Sequence, residues 1–106
     1  MAEVEFYYKD NVLKIYISGE IDHHSAFAIK DEIDCQLLYY TPETAVMNFE
    51  KVSFMDSSGI AVIINALRNM TRIQGELYVC GLQNQPLRVF LAAGVDKLVA
   101  IKEVSH

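Results

Sequence analysis

Asp56, Ser57 and Ser58 stand in a row where an apolar, strand-like run gives way to a helical one. The preceding Val52-Ser53-Phe54-Met55 reads as a short buried strand that breaks at Asp56. A helix then starts at Ser58: Ile60, Ile63, Ile64, Leu67 and Thr71 follow the 3, 4 and 7 spacing of one helical face. A helix leaves its first amide groups without partners, and Asp and Ser oxygens are well suited to accept from them. The same end is positively polarised, so a phosphate there is also well placed. Two chemistries follow: plain capping by the serines, or a hydroxyl that takes up a phosphoryl group. Capping alone accounts for both residues, because serine is so common at that position.

The run Asp22-His23-His24 is the second group with chemical potential. Adjacent histidines on a loop do not aim at one ion, His106 is terminal, and no ligand cluster has zinc spacing, so no metal site is expected. Nor is an enzyme. The chain has no G-x-x-x-x-G-K phosphate loop and no G-x-S-x-G elbow. Nothing in the spacing fixes Ser57, a histidine and Asp22 as a nucleophile system. A receiver-type phospho-aspartate domain needs a clustered acidic pocket, and only Glu20 and Asp22 approach the first helix. No cofactor is implied.

The elements that must position these residues follow from periodicity. Val4 to Tyr8 and Val12 to Ser18 read as strands of a hairpin around Lys9-Asp10-Asn11, with Leu13, Ile15 and Ile17 on one face. Gly19 to Asp22 reads as a loop, and Asp22 or Ser25 caps a helix from about Ser25 to Leu38 with Phe27, Ile29, Ile33 and Leu37 inward. Pro42 ends that region. A central strand follows over Thr44 to Phe49, then the Asp56 junction, a helix from Ser58 to Ile73 and a stop at Gly75. In that helix Ile60, Ile63 and Ile64 are expected in the core, with Ala61 or Val62 left outside beside Ser57. Glu76 to Cys80 is another strand. A third helix runs from about Gln85 to Ala93, with Leu87, Phe90 and Leu91 as its apolar face, and Leu98 to Ile101 is a last strand or short helix. This order predicts one small α/β domain over residues 1–106, with a mixed four- to five-stranded sheet and helices packed against it. Functional groups gather at the carboxyl ends of such strands, so Asp22 and Ser57 are expected to be neighbours.

Composition narrows the partners. A chain of 106 residues with 52% hydrophobic and 22% charged content is a compact single domain, which excludes overall disorder. The formal net charge of -5 and the absence of basic clusters argue against nucleic acid and against an electrostatic membrane anchor. No apolar stretch approaches the roughly 20 residues needed to span a bilayer. The opening Met1-Ala2-Glu3-Val4-Glu5 does not resemble a secretory signal. Cys35 and Cys80 read as buried, reduced thiols of a cytoplasmic protein.

Three stretches carry a family resemblance. Phe54-Met55-Asp56-Ser57-Ser58-Gly59-Ile60 resembles the phosphorylation-site signature of bacterial anti-sigma-factor antagonists, a branch of the STAS domain family. Gly19-Glu20-Ile21-Asp22-His23-His24-Ser25-Ala26 resembles the Gly-Glu-Leu-Asp loop of that family, and Leu91 to Leu98 its C-terminal helix and turn. Ala61 departs from it, since many members carry a second small glycine there. The resemblance implies Ser57 as phosphoacceptor, and Ser58 is then expected as the structural cap, its hydroxyl satisfying an amide two or three residues on. Asp56 then orients the hydroxyl, is read by a kinase, or simply ends the strand. Glu20, Ile21 and Asp22, with Asp56 to Gly59 and Ala61, become a partner-binding surface, with Ile21 as its apolar contact. The implied partners are an anti-sigma factor that is also an ATP-dependent serine kinase, and a phosphoserine phosphatase. The unphosphorylated form would bind the anti-sigma factor and release a sigma factor. The alternative is a STAS-type interaction subunit of another signalling or lipid-transport complex, without a phosphoswitch.

Overall fold

The computed structural model describes residues 1–104, so His106 lies outside the described residues. The chain folds as β1 (Ala2–Lys9), β2 (Val12–Ile21), α1 (His23–Tyr40), β3 (Thr44–Met55), α2 (Ser57–Arg72), β4 (Glu76–Cys80), α3 (Asn84–Ala92), a 3₁₀ turn (Val95–Lys97) and β5 (Ala100–Ile101). Strands β1 and β2 form the antiparallel hairpin, joined by Asp10 and Asn11 with φ of 52° and 64°. Two left-handed residues make the tight hairpin turn whose twist suits the strands, and Asp and Asn are among the non-glycine residues that tolerate it.

The sheet order is β1-β2-β3-β4-β5, and every pair after the hairpin is parallel. Each crossover from β2 onward therefore steps the same way across the sheet. Right-handed crossovers that step one way stack their helices on one face. That face holds the core: Leu13, Ile15 and Ile17 of β2, Ala45, Met47 and Phe49 of β3, and Leu77 and Val79 of β4 are buried with the helices. On the opposite face Lys14 lies in register with Val46, which lies in register with Tyr78.

The strand assignments extend further than their patterns. The segment Gly19 to Ile21, expected as loop, is the end of β2, with register shifts against β3 on either side of Gly19. Gly19 takes φ of 92°, and the Met1 carbonyl, which accepts from the Glu20 N–H at 3.0 Å, lies where a side chain would project. β3 continues unbroken to Met55.

Helix faces needed correction. Phe27, expected inward, is 68% exposed, and α1 buries Ala26, Ile29, Ile33 and Leu37. At 3.6 residues per turn Phe27 lies about 200° from Ile29, so the stripe that buries Ile29 turns Phe27 outward. α2 starts at Ser57 and buries Gly59, Val62, Ile63, Ala66 and Met70. Of the expected face, Ile63 is fully buried, Ile60, Ile64 and Leu67 are half-buried against the core, and Thr71 is exposed. Small residues, Gly59 and Ala66, belong to the buried face, and a pattern of isoleucines does not mark them. In α3 Pro86 and Phe90 are buried, Leu87 is half-buried and Leu91 is exposed. Cys80 is buried as expected, but Cys35 is exposed on α1. α2 ends before Gly75, and Gln74 takes the left-handed conformation (φ 60°). Among the described residues no helix is long and apolar enough to cross a membrane.

Candidate functional site

The site is built where β2 and β3 end together. Ile21 and Met55 are register partners, and the Asp56 N–H donates to the Ile21 carbonyl at 3.2 Å. The next residue of each strand is an aspartate, and each aspartate starts a helix. Asp22 and Ser57, one on each side of this junction, are thereby brought to the same end of the sheet.

Asp22 caps α1 with a closed set of bonds. Its Oδ1 accepts from the His24 N–H at 3.0 Å, the Ser25 N–H at 2.9 Å and the Ser25 hydroxyl at 3.0 Å. Ser25 Oγ in turn accepts from the Asp22 N–H at 3.0 Å. Both expected caps are thus used, as the two halves of a capping box. The Ser25 bonds, backbone first and then hydroxyl, hold the Asp22 carboxyl below the usual aspartate range, because they favour its charged form.

Asp56 caps α2 more simply. Its Oδ1 accepts from the Ser58 N–H at 2.7 Å, and its carbonyl from the Gly59 N–H at 3.0 Å. Ser58 is therefore not the cap: it supplies the capped amide, and the carboxylate does the capping. The side-chain hydrogen bond expected of Asp56 where the strand ends is present, and it caps the helix that follows.

This leaves Ser57 as the first residue of α2, exposed to solvent. Among the described residues no hydrogen bond engages its hydroxyl or its N–H. An N–H at this position has no acceptor within the helix. The hydroxyl is thus accessible, beside an amide able to donate to an added phosphate oxygen.

The surroundings are acidic. Glu20 is exposed, Asp22 and Asp56 are partly so, and among the described residues no ion pair engages these three. Ala61 is exposed beside the first turn of α2, while Val62 is 3% exposed. Ile21 is 0% exposed, so its side chain is core and offers no contact to a partner. Strand alternation explains this: Ile21 and Met55, paired in register, both point to the helix side. Gly59 is also buried, because a Cβ there would lie 2.8 Å from Met55 Sδ and 2.9 Å from Met55 Cβ. Its role is to let α2 start against Met55.

Sequence reading missed some residues at this end. Phe54, 40% exposed, and Phe27 offer aromatic surface. Gln85 of α3 bonds the Met55 backbone from 30 residues away in sequence. No local signal distinguishes Gln85, whose partner is distant in sequence. His23 and His24 are exposed, with rings 6.0 Å apart edge to face. Among the described residues no three His, Cys, Asp or Glu side chains converge as a metal site requires.

Residues 3–106 match the family model described as STAS domain. The chain belongs to the STAS domain family. Among its STAS relatives is the anti-sigma-B factor antagonist of Listeria monocytogenes, 31% identical over 94 residues, covering 87% of this chain and 80% of the relative. The anti-sigma F factor antagonist of Paenibacillus polymyxa is 28% identical over 99 residues, covering 93% and 85%. In fold the chain is similar to the anti-sigma factor antagonist SpoIIAA in its unphosphorylated form, with TM-score 0.84 and 23% identity over 98% of this chain and 90% of that one. The phosphorylated form of Bacillus SpoIIAA superposes with TM-score 0.76 at the same identity, over 98% and 93%. The STAS fold expected from the sequence is the fold observed.

Proposed function

We propose that this protein is a phosphorylation-controlled antagonist of an anti-sigma factor. Unphosphorylated, it binds the anti-sigma factor and so releases a sigma factor; phosphorylation of Ser57 abolishes that binding. The observation that carries the reading is the exposed, unbonded Ser57 hydroxyl, fixed at the start of α2 by the Asp56 cap. The names of the relatives supply the class of partner.

The chemistry is that of a substrate. The anti-sigma factor acts as a serine kinase and brings ATP. Ser57 Oγ attacks the γ-phosphorus, the bond from that phosphorus to the β,γ-bridging oxygen breaks, ADP leaves, and the hydroxyl proton passes to a base on the kinase. For this to occur, Ser57 must dock against nucleotide phosphates. A phosphoserine, adding a charge of about -1.5 to -2, then meets those phosphates and its own neighbours Asp56 and Asp22. The complex loses both the serine contact and its electrostatic balance. Glu20, Asp22 and Asp56 face basic groups of the partner, and Ala61 and Ser58 sit in the contact. A phosphoserine phosphatase restores the binding form. The protein performs no catalysis itself, and it works in the cytoplasm, where ATP and sigma factors are found.

The test is site-mapped mass spectrometry after incubation with ATP and an extract of the source cells. Wild type should gain one phosphoryl group, Ser58→Ala should retain it and Ser57→Ala should lose it. Modification that persists in Ser57→Ala would overturn the assignment. An unmodified wild type, in an extract with demonstrated kinase activity, would favour the interaction subunit without a switch.

A further inference from the structure

We propose that Gln85 is a positioning residue for the Ser57 switch; the inference rests on the phosphoacceptor reading above. β3 outlasts its neighbour on one side. Its pairing with β4 stops at Asn48 opposite Cys80, while its pairing with β2 continues to Met55 opposite Ile21. Beyond Asn48 the β4-side edge of β3 therefore has no strand to take its backbone groups.

At Met55 a side chain takes that place. The Met55 N–H donates to Gln85 Oε1 at 2.9 Å, and Gln85 Nε2 donates to the Met55 carbonyl at 2.9 Å. A carboxamide has one acceptor and one donor side by side, so it can meet a residue as a neighbouring strand would. Successive strand residues point their amides to opposite sides, and the next one, Asp56, donates to the Ile21 carbonyl at 3.2 Å. Met55 and Asp56 are thus pinned from the two edges, α3 on one side and β2 on the other. Ser57 is the next residue.

The entry to α3 is shaped to allow this. Gln83 starts the helix without a side-chain cap bond, and Asn84 has φ of 56°. A left-handed non-glycine residue is uncommon, and asparagine is among those that tolerate it. The turn it makes immediately precedes the residue that reaches Met55. Gln85 makes no hydrogen bond to Ser57 among the described residues. It acts by fixing the backbone from which the Ser57 hydroxyl is presented, and phosphoryl transfer is sensitive to such placement, with a misplacement of about 1 Å able to slow a reaction by about 100-fold.

The experiment uses the full chain, ATP and the kinase-active fraction of a source-cell extract, with initial rates measured over a range of substrate-protein concentrations. Exchange of the Met55 amide is followed in parallel by NMR, and folding by circular dichroism. Gln85→Ala should keep the fold, lose protection at Met55 and lower kcat for Ser57 phosphorylation by at least about tenfold, with KM changed less than about twofold. Gln85→Glu keeps the acceptor for the Met55 N–H but loses the donor to its carbonyl, so it should fall between Gln85→Ala and wild type. If Gln85→Ala does not fold, Gln85→Glu, which keeps the side-chain volume, carries the comparison against wild type. An unchanged kcat with Met55 unprotected would overturn the proposal. So would a rise in KM alone with Met55 still protected, which would make Gln85 a direct contact of the kinase. Wild type left unphosphorylated would instead sink the phosphoacceptor reading, and this inference with it.

Discussion

Two aspartates with the same location do different jobs, and the difference is testable residue by residue. Asp22 is wrapped by Ser25 and His24 amides, whereas Asp56 holds the Ser58 amide and leaves Ser57, between them, free. Because the folded state lowers the Asp22 pKa, its contribution is complete above the ordinary aspartate value and is lost as pH falls through the lowered one. Asp22→Asn keeps an acceptor at the cap but cannot titrate. Its stability deficit against wild type should be present at pH 7 and shrink below about pH 4, read by urea denaturation across that range. At Asp56 the expected cost of Asp56→Ala is about 1 kcal/mol, the ordinary value of an N-cap. Gly59 presents opposing effects. Alanine improves helix propensity by about 1 kcal/mol, but its methyl would sit 2.9 Å from Met55 Cβ, and overpacking costs about 1–3 kcal/mol. Crowding against a buried neighbour in an adjoining element outweighs propensity, so Gly59→Ala should be destabilising, with a lower urea midpoint at unchanged slope.

Elements were legible in the sequence to the extent that their signal was local. The β2 alternation of Leu13, Ile15 and Ile17 and the Asp-Asn hairpin turn were readable because a strand's two faces and a tight turn are written within a few residues. The phase of the helices was not. Phe27 is a large apolar residue beside the buried stripe of α1 in sequence but two residues from Ile29, so once Ile29, Ile33 and Leu37 pack against the sheet it faces water. The flank toward α2 is instead set by polar bonds: Asp34 Oδ1 accepts from Asn65 Nδ2 at 2.6 Å and Asn69 Nδ2 at 2.7 Å. Phe27→Ala should therefore change stability by no more than about 0.5 kcal/mol, as exposed positions do. Ile29→Ala should cost about 2–5 kcal/mol. Equal losses in chemical denaturation would put Phe27 back in the core. Gln85 was invisible for a related reason. Its partner is a backbone freed only because β3 is longer than β4, a fact of the assembled sheet that no pattern within α3 encodes.

At the scale of the whole molecule, the question is whether the proposed modification of Ser57 would act on the fold or on its surface. The sheet order places all the helices on one face, and both helices that follow β2 and β3 start at the same end, with Ser57 on the outside of that end. Phosphorylation would take the formal charge from -5 to about -7. Three effects act on stability. Exposure means no desolvation of the phosphate. The start of a helix favours a negative charge by about 0.3–1 kcal/mol. Asp56 and Asp22 oppose it, through water and with a Debye length of about 8 Å at physiological salt. Favourable and unfavourable contributions are of similar size, so the net change should be within about 1 kcal/mol. For a domain of this size that corresponds to a melting temperature moved by no more than about 4–8 °C. The phosphorylated protein should keep its far-ultraviolet circular dichroism, and its amide spectrum should change around residues 20–25 and 54–61 but not across β4. The small thermal shift should become more favourable as salt is raised, because screening relieves the carboxylate repulsion more than the adjacent helix-end attraction. Loss of secondary structure on modification would mean that the switch works by unfolding α2, and the surface account of its control would fail.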